Sequence, residues 1–371
     1  MDERIREHAA VLVEWSARVD PGDDVLVDVA EGAHELAVAV AERLGEIGAN
    51  VVTTYGSEEV SRAYLRAHEG DFEAGGHELA LVENADVYLR LGGGRNTTAT
   101  ADVDDDTRQA YSTARRGVRE ARMDTDWVST VHPTRSLAQQ ASMAYEEYQS
   151  FVYDAVLRDW ESLAETMAEL KEILDSGSEV RLLKDRPDQP KTDVRMSIDG
   201  RTAVNSAASV AYDSHNLPSG EVFTAPYDTS GEVFFDVPMT INARRVRNVR
   251  LVFEEGEVVD FAAEQGEDVV EGVLDTDAGA RRLGELGIGM NRGIDRFTDN
   301  ILFDEKMGDT VHLALGRAYD ANLPDDESGN DSVVHVDMIT DVSEGSRIEV
   351  DGETIQKNGV FRFEDAFDAE P

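Results

Sequence analysis

The stretch "DDVLVDVAEGAHELAVAVAERLGEIGANVVTTYGS", Asp23 to Ser57, decides the fold of the N-terminal half. Its beginning, "DDVLVDVA", and its end, "VVTTYGS", are short and rich in valine and threonine, which predicts two strands. The intervening "GAHELAVAVAERLGEIGAN" has the apolar spacing of an amphipathic helix, closed by Gly48 and Asn50. Strand, helix and strand in this order predict a βαβ unit with parallel strands.

The same alternation continues along the chain. A helix around residues 58–67, the strand "ADVYLRLG" and the helix "DDTRQAYSTARRGVREARM" extend the pattern, so we expect a mostly parallel sheet wrapped by helices. Mostly helical sequence then runs from His132 to Gly177, where the polar turn "DSGSE" ends it. We therefore predict an N-terminal α/β domain with long closing helices, residues 1–176, and a second domain, residues 177–371.

The second domain reads as short strands and turns. The runs "VRMSIDGRTAV", "VRLVFEEGEVVDFAAE" and "SRIEVDGETIQKNGVFRF" place "DG" or "EEG" between β-rich segments, which predicts antiparallel hairpins. One helix is expected at roughly Asp277 to Glu285. The predicted fold class is α/β, with a C-terminal α+β domain rich in antiparallel strands that carries the candidate metal site.

The composition limits the classes of partner. Lys and Arg number 35 against 77 Asp and Glu, a formal net charge of −42 that repels nucleic acid and anionic membrane surfaces. The few lysines and the abundance of acidic residues are typical of a salt-adapted, halophilic protein. No cysteine is present, so any metal site must use histidine and carboxylate ligands. The charged start "MDERIREHAAVLVEW" has no signal-peptide core, and we expect a cytoplasmic protein.

Two apolar strands near the C-terminus carry histidines. In "SVVHVDMITD" the strand period of two places His335 and Asp337 on one face, with valines and Met338 on the other. In "GDTVHLALGRAY" the same period places His312 on one face of a second strand. A single polar pair is more often a solvated sheet face, but two matching histidines favour a metal site.

Further carboxylate ligands must come from elsewhere in the second domain. Glu221 opens "GEVFTAP" at the start of a strand, and Glu285 lies in "LGELGIGMN", where we expect a helix end and where Gly287 and Gly289 permit close approach. Taken alone, either glutamate is more often an ordinary charged residue at the end of an element.

Four ordered motifs carry a family resemblance: "LPSGEVFTAP", "LGELGIGMN", "ILFDEKMGDTVHLALGRAY" and "NDSVVHVDMITD". Together they closely resemble the thermophilic-type metallo-aminopeptidases, the family of aminopeptidase T, aminopeptidase S and PepS. The resemblance implies a dinuclear site for two divalent ions, Zn, Co, Mn or Mg, held by these residues: Glu221, Glu285, His312, His335 and Asp337. It also implies that Tyr319 lies close to the metals.

The resemblance further implies an activity. A water activated by two metal ions would hydrolyse the N-terminal peptide bond of peptides with a free amino terminus, in a homodimer. Asp337 and Glu285 are both candidates for the bridging carboxylate, and no general base is assigned. The chain departs from the family in the acidic loop "DANLPDDESGNDS", so the effect of residues 320–331 on substrate preference stays open.

Two other functions use similar residues. A dinuclear metallophosphatase or amidohydrolase would have comparable ligands, but the histidine-rich "HxH" opening that favours it does not occur. A non-catalytic metal-binding or peptide-binding protein of the same fold is the other alternative. Intact ligand types at all five positions argue against it.

The acidic surface generates a prediction about salt. Raising the ionic strength from about 0.01 M to about 1 M shortens the Debye length from roughly 30 Å to roughly 3 Å, which screens repulsion among the carboxylates. We expect the melting temperature to rise steeply from dilute buffer to molar potassium chloride, as measured by circular dichroism. A melting temperature that is unchanged over this range would contradict halophilic adaptation.

Overall fold

The computed structural model describes residues 1–241, 244–324 and 326–368. The α-helices are α1 Glu3–Ala10, α2 His34–Ile47, α3 Glu58–Ala67, α4 Gly76–Glu83, α5 Asp105–Ala114, α6 Arg116–Met123, α7 Arg135–Gln140, α8 Tyr145–Val156, α9 Trp160–Ser176, α10 Glu267–Leu274 and α11 Ile301–Asp304. A π-helical segment, Val11–Ser16, continues α1. None of the helices in these ranges is both long and apolar enough to cross a membrane.

The strands are β1 Asp24–Ala30, β2 Asn50–Gly56, β3 Val87–Gly92, β4 Asp126–Val131, β5 Glu179–Lys184, β6 Thr192–Ser197, β7 Val204–Ser206, β8 Asn216–Leu217, β9 Glu221–Thr224, β10 Tyr227–Phe235, β11 Met239–Ile241, β12 Arg244–Glu254, β13 Glu257–Gln265, β14 Leu283–Gly289, β15 Thr310–Gly316, β16 His335–Asp341, β17 Ser346–Val350, β18 Glu353–Lys357 and β19 Val360–Phe361.

The chain divides into two compact units. Unit 1 comprises Met1–Arg158 and Ala208–Pro218, and unit 2 comprises Asp159–Ala207 and the chain from Ser219 onward. Helix α9 packs with unit 2 in this division, whereas the sequence prediction places it with the first domain. A compact packing unit need not fold independently, so the domain boundary between residues 176 and 177 stays a prediction.

Unit 1 contains the parallel sheet A, with strand order β2-β1-β3-β4-β8. All four pairings are parallel, and the βαβ prediction for residues 23–57 is confirmed. Val25, Leu26 and Val27 are all buried, as expected for a strand covered on both faces. Helix α2 ends at Gly48, whose φ of 89° is readily adopted only by a residue without a Cβ.

Unit 2 contains two sheets. Sheet B has nine strands in the order β11-β12-β10-β6-β5-β17-β18-β19, with β13 paired to β12, and its pairings are antiparallel. Sheet C has the order β16-β15-β14-β9-β7 and is also antiparallel. The predicted fold class is confirmed: a parallel α/β arrangement is followed by an antiparallel part that carries the candidate site.

The turn predictions are confirmed at two hairpins and wrong at one. Glu255-Gly256 joins β12 to β13, and Asp351-Gly352 joins β17 to β18, each pair with positive φ at both positions. Asp199-Gly200 does not close a hairpin, because β6 pairs within sheet B and β7 pairs within sheet C. A local turn signal does not specify which sheet the following strand joins.

The helix predicted at Asp277 to Glu285 is wrong. A short 3₁₀ turn at Gly279–Arg281 leads directly into strand β14, so Glu285 lies within a strand. Every residue of β14 is buried between its neighbours β15 and β9. Pairing on both edges satisfies the backbone of a glycine-rich segment that has little helical preference of its own.

Candidate metal centre

One face of sheet C collects the predicted ligands through its register. Glu285 on β14 pairs with Ala314 on β15, which in turn pairs with Asp337 on β16. His312 pairs with Gly287, two residues along the same strands. Because side chains alternate with a period of two and directly paired residues share a face, these side chains all project to the same side. The alternation that the sequence predicts for β15 and β16 is therefore present.

Glu221 reaches this face from β9, where it pairs with Gly289. The preceding Gly220 has a φ of 112°, and a Cβ there would lie 2.8 Å from the Cβ of Asn291. The buried Asn291 donates its backbone N–H to the carbonyls of Gly220 at 3.1 Å and Lys306 at 3.2 Å. This asparagine therefore fixes the start of β9 and aims Glu221 toward the other strands.

The five predicted ligands form two overlapping groups. Glu221, Glu285 and His312 form one, and Glu285, His335 and Asp337 form the other, with the potential ligand atoms of each group lying within 4.8 Å of one another. Glu285 belongs to both groups. Its Oε1 lies 2.8 Å from His312 Nε2, and its Oε2 lies 3.6 Å from His335 Nε2.

Two further distances connect Glu221 and Asp337 to the histidines. His312 Nε2 lies 3.7 Å from Glu221 Oε2, and His335 Nε2 lies 3.5 Å from Asp337 Oδ1. His335 Nδ1 lies 2.9 Å from the Arg317 carbonyl and donates to it, which directs Nε2 toward the carboxylates.

Burial and charge act against each other in this cluster. Burial raises the pKa of Glu221, although the charges of Lys306 and His312 oppose it. Burial alone would lower the pKa of His335, but the Asp337 hydrogen bond and the charges of Asp337 and Glu285 outweigh it and raise the pKa to about 9. The pKa of His312 is also raised, because the carboxylates of Glu285 and Glu221 outweigh its burial.

The donor set fits divalent metal ions. Two imidazole nitrogens and three carboxylates suit Zn, Co or Mn. Glu221 Oε2 and His312 Nδ1 are both buried without a hydrogen-bond partner among the described residues. A buried carboxylate oxygen without a hydrogen-bond donor is costly unless a cation faces it. The five residues could therefore hold metal, while their assignment as ligands stays a prediction.

Lys306 is a residue of this site that the sequence prediction missed. It is fully buried, its Nζ lies 3.4 Å from Glu221 Oε1, and it also contacts the Glu305 carboxylate. By holding Oε1, Lys306 leaves Oε2 of Glu221 facing His312. The sequence gives one signal, because Lys306 is one of only five lysines in the chain and stands four residues before the buried strand β15.

Tyr319 lies beside the cluster. Its ring centroid is 5.0 Å from that of His335 and 6.1 Å from that of Phe223, which it meets edge-on. Burial and the charges of Glu285 and Asp337 raise the pKa of its hydroxyl. This position is compatible with the predicted place near the metals, and its role stays a prediction.

The acidic loop after Tyr319 is described except for residue 325. It begins with a 3₁₀ turn at Asp320–Asn322, and Glu327 pairs with Arg201 at 2.7 Å. The effect of this loop on substrate preference stays a prediction.

Comparison with known proteins identifies the family. The model of the thermophilic metalloprotease (M29) family matches residues 1–362, nearly the whole chain. The chain belongs to this family. Its relatives include aminopeptidase 2 of Geobacillus stearothermophilus, 27% identical over 95% of this chain and 94% of that protein. Aminopeptidase T of Thermus aquaticus is 38% identical over 37% of this chain and 36% of that protein.

A solved structure confirms the fold of this M29 protein. Wild-type AmpT from Thermus thermophilus superimposes with a TM-score of 0.84, covering 97% of this chain and 99% of that chain at 23% sequence identity. The predicted family and enzyme class are confirmed, and this M29 protein is a hydrolase that acts on peptides.

Gly287 provides a test of the His312 position in this M29 hydrolase. A Cβ at Gly287 would lie 2.0 Å from Cε1 and 2.1 Å from Nε2 of the fully buried His312 ring. We expect Gly287→Ala to displace the ring, reduce metal retention at least about tenfold, and lower the free energy of unfolding by roughly 1–3 kcal/mol. Metal content after gel filtration and the melting temperature of metal-free protein measure the two effects.

Gly272→Ala is the matched control. Gly272 lies in helix α10, and a Cβ there meets nothing within 4 Å. This variant should retain metal and gain up to about 1 kcal/mol of stability. Equal metal retention in the two variants would contradict the assignment of His312 as a ligand.

Proposed function

We propose that this chain is a metal-dependent aminopeptidase with a dinuclear site formed by Glu221, Glu285, His312, His335 and Asp337. The main observation behind the proposal is that Glu285 belongs to both groups of potential ligands. Its two carboxylate oxygens face different histidines. A carboxylate placed in this way suits a site in which two ions share one ligand. Relatives over nearly the full length are named aminopeptidases, which supports the choice of reaction.

The geometry favours one of the two bridging candidates. Glu285 lies in both ligand groups, whereas Asp337 lies in only one. Glu221 would contribute Oε2, because Lys306 holds its Oε1. His335 would contribute Nε2, because its Nδ1 hydrogen-bonds the Arg317 carbonyl. When bound, divalent ions supply Lewis acidity that lowers the pKa of water and polarises the scissile carbonyl.

The exposure of the cluster supports cleavage at a chain end. The His335 side chain is 23% exposed and that of Asp337 is 11% exposed, while His312 is fully buried. Substrate must therefore approach from the β16 side. On the opposite side, the buried ion pair of Lys306 and Glu221 closes the site. A site open on one side accommodates a peptide terminus more readily than a continuous chain, and its carboxylates would attract a free α-amine.

Several finer features are part of the same proposal. The chain would assemble as a homodimer, which rests on the family resemblance alone. It would be cytoplasmic and adapted to high salt, as the sequence composition suggests. The native metal is Zn, Co, Mn or Mg, and peptides with a free amino terminus are its substrates.

The first test is metal dependence. Dialysis against a strong chelator should abolish peptidase activity, and Zn, Co or Mn should restore it. Glu285→Gln should lose at least about a hundredfold in kcat/KM, because a group that organises both halves of the site is removed. The matched control Glu271→Gln changes an exposed glutamate on helix α10 and should retain full activity. Full activity of metal-free protein would exclude the proposal.

The second test concerns the amino terminus. One peptide is offered in free and N-acetylated form, and products are followed by time-resolved mass spectrometry. The free peptide should shorten one residue at a time from its amino end, while the acetylated form should react at least about a hundredfold more slowly, since it lacks the amine that aligns the first peptide bond. Internal fragments, or equal cleavage of both forms, would indicate an endopeptidase.

A further inference from the structure

A cavity separate from the metal cluster lies in unit 1, on the parallel sheet. Its volume is about 550 Å³, within the range of small-molecule sites. Asp28 on β1, Thr54 on β2 and Arg90 on β3 lie side by side in its wall, because Asp28 pairs in register with both of the others. All three residues belong to the carboxyl-terminal halves of their strands.

The strand order makes this a preferred position for a ligand. The chain passes from β1 to β2 on one side and then returns to place β3 on the other side of β1. The order of strands therefore reverses between β1 and β3. Open parallel sheets bind ligands at the carboxyl ends of strands where such a reversal occurs.

Two carboxylates, Asp28 and Glu78, also line the cavity, and both accept hydrogen bonds. Asp28 accepts hydrogen bonds from the Thr54 hydroxyl at 3.0 Å and from the Tyr88 hydroxyl at 3.3 Å. Glu78 accepts two hydrogen bonds from the Arg115 guanidinium. Of the cavity arginines, only Arg115 forms an ion pair with one of these two carboxylates.

Three further arginines line the same cavity: Arg90, Arg119 and Arg122. Within the described ranges, none of the three has a carboxylate oxygen within 4.0 Å. The chain carries 77 acidic and 35 basic residues, whereas the lining of this cavity holds four arginines and two carboxylates, which reverses the charge that prevails over the molecule. A local field of this sign attracts anions.

Arg122 also has an unsatisfied donor. Its guanidinium lies 4.6 Å from the centroid of the Trp127 ring, and its Nε is buried without a hydrogen-bond partner in the described part of the chain. Burial lowers the pKa of Arg122, and the charges of Arg90 and Arg119 add to this effect while Tyr88 and Asp28 oppose it. An acceptor with negative charge would relieve both the unmet donor and the repulsion.

We propose that this cavity binds a small phosphorylated molecule, with its phosphate group held by Arg90, Arg119 and Arg122. Planar guanidinium groups match the oxygens of a phosphate and bind it by paired hydrogen bonds. Tyr55 and Tyr111 also line the cavity and offer aromatic surface to an organic group on the phosphate. All residues that line this cavity belong to unit 1, whereas the metal cluster belongs to unit 2.

Calorimetric titration of the metal-loaded protein tests the proposal. The probes are phenyl phosphate, inorganic phosphate and phenol, at one fixed concentration of potassium chloride. Phenyl phosphate should bind saturably, and phenol should bind at least about tenfold more weakly, since charge-assisted hydrogen bonds provide most of the affinity. If inorganic phosphate binds as tightly as phenyl phosphate, the site recognises the phosphate group alone. If inorganic phosphate binds more weakly than phenyl phosphate, the site also recognises the organic group, and its ligand is a phosphate ester.

Variants separate this site from the metal centre, where phosphate could also bind. Arg119→Gln and Arg90→Gln change exposed residues and should each weaken phenyl phosphate binding at least about tenfold. Arg116→Gln removes the same charge from an exposed position of α6 that does not line the cavity, and should change affinity less than about twofold. Circular dichroism and melting temperatures check that all variants fold.

Three results would overturn the proposal. These are the absence of saturable binding in the wild type, unchanged binding in both Arg119→Gln and Arg90→Gln, and equal weakening by Arg116→Gln. The last would indicate diffuse electrostatic attraction rather than a site.

Discussion

The repulsion among three carboxylates in one buried corner of sheet C is the constraint on which the site depends. Glu221, Glu285 and Asp337 share a small space with little access to water, where like charges interact strongly. Positive charge must therefore be supplied nearby. Lys306 supplies it permanently for one carboxylate, and the two histidines supply it through protons or a bound cation.

Sheet C meets this constraint through its backbone. Strands β9, β14, β15 and β16 contribute the candidate ligands from one face, and the register places Glu285 directly across Ala314 from Asp337. Gly287 leaves room for the His312 ring, and Gly220 allows the turn that aims Glu221. Small residues between large ionisable side chains are therefore part of the site, although they carry no chemistry themselves.

Local patterns predicted part of this arrangement. A period of two is a property of every strand, so the shared face of His335 and Asp337, and the valine-rich strands of sheet A, followed from the sequence. The pairing of β14 with β15 and β9 is set by contacts between distant parts of the chain, and no local pattern encodes it. Glu285 was for that reason assigned to a helix end, and its partnership with Glu221 was expected only from the family resemblance.

Tertiary context also explains what the sequence did not indicate. The rarity of lysine marks Lys306 in the sequence, but its burial does not follow from that, because it depends on the turn that Asn291 holds against β9. The sequence analysis makes no prediction for Arg119 and Arg122, because their common cavity exists only once α6 packs on sheet A. Charge without a nearby partner is visible only in three dimensions.

Anomalous X-ray diffraction from crystals grown with zinc or manganese would show whether the five side chains bind two ions. We expect two anomalous peaks among the five side chains, at ligand distances of about 2.0–2.2 Å, with Glu285 contacting both ions. A single peak that Glu285 does not contact, or the absence of any peak at this cluster in metal-loaded and active protein, would contradict this expectation.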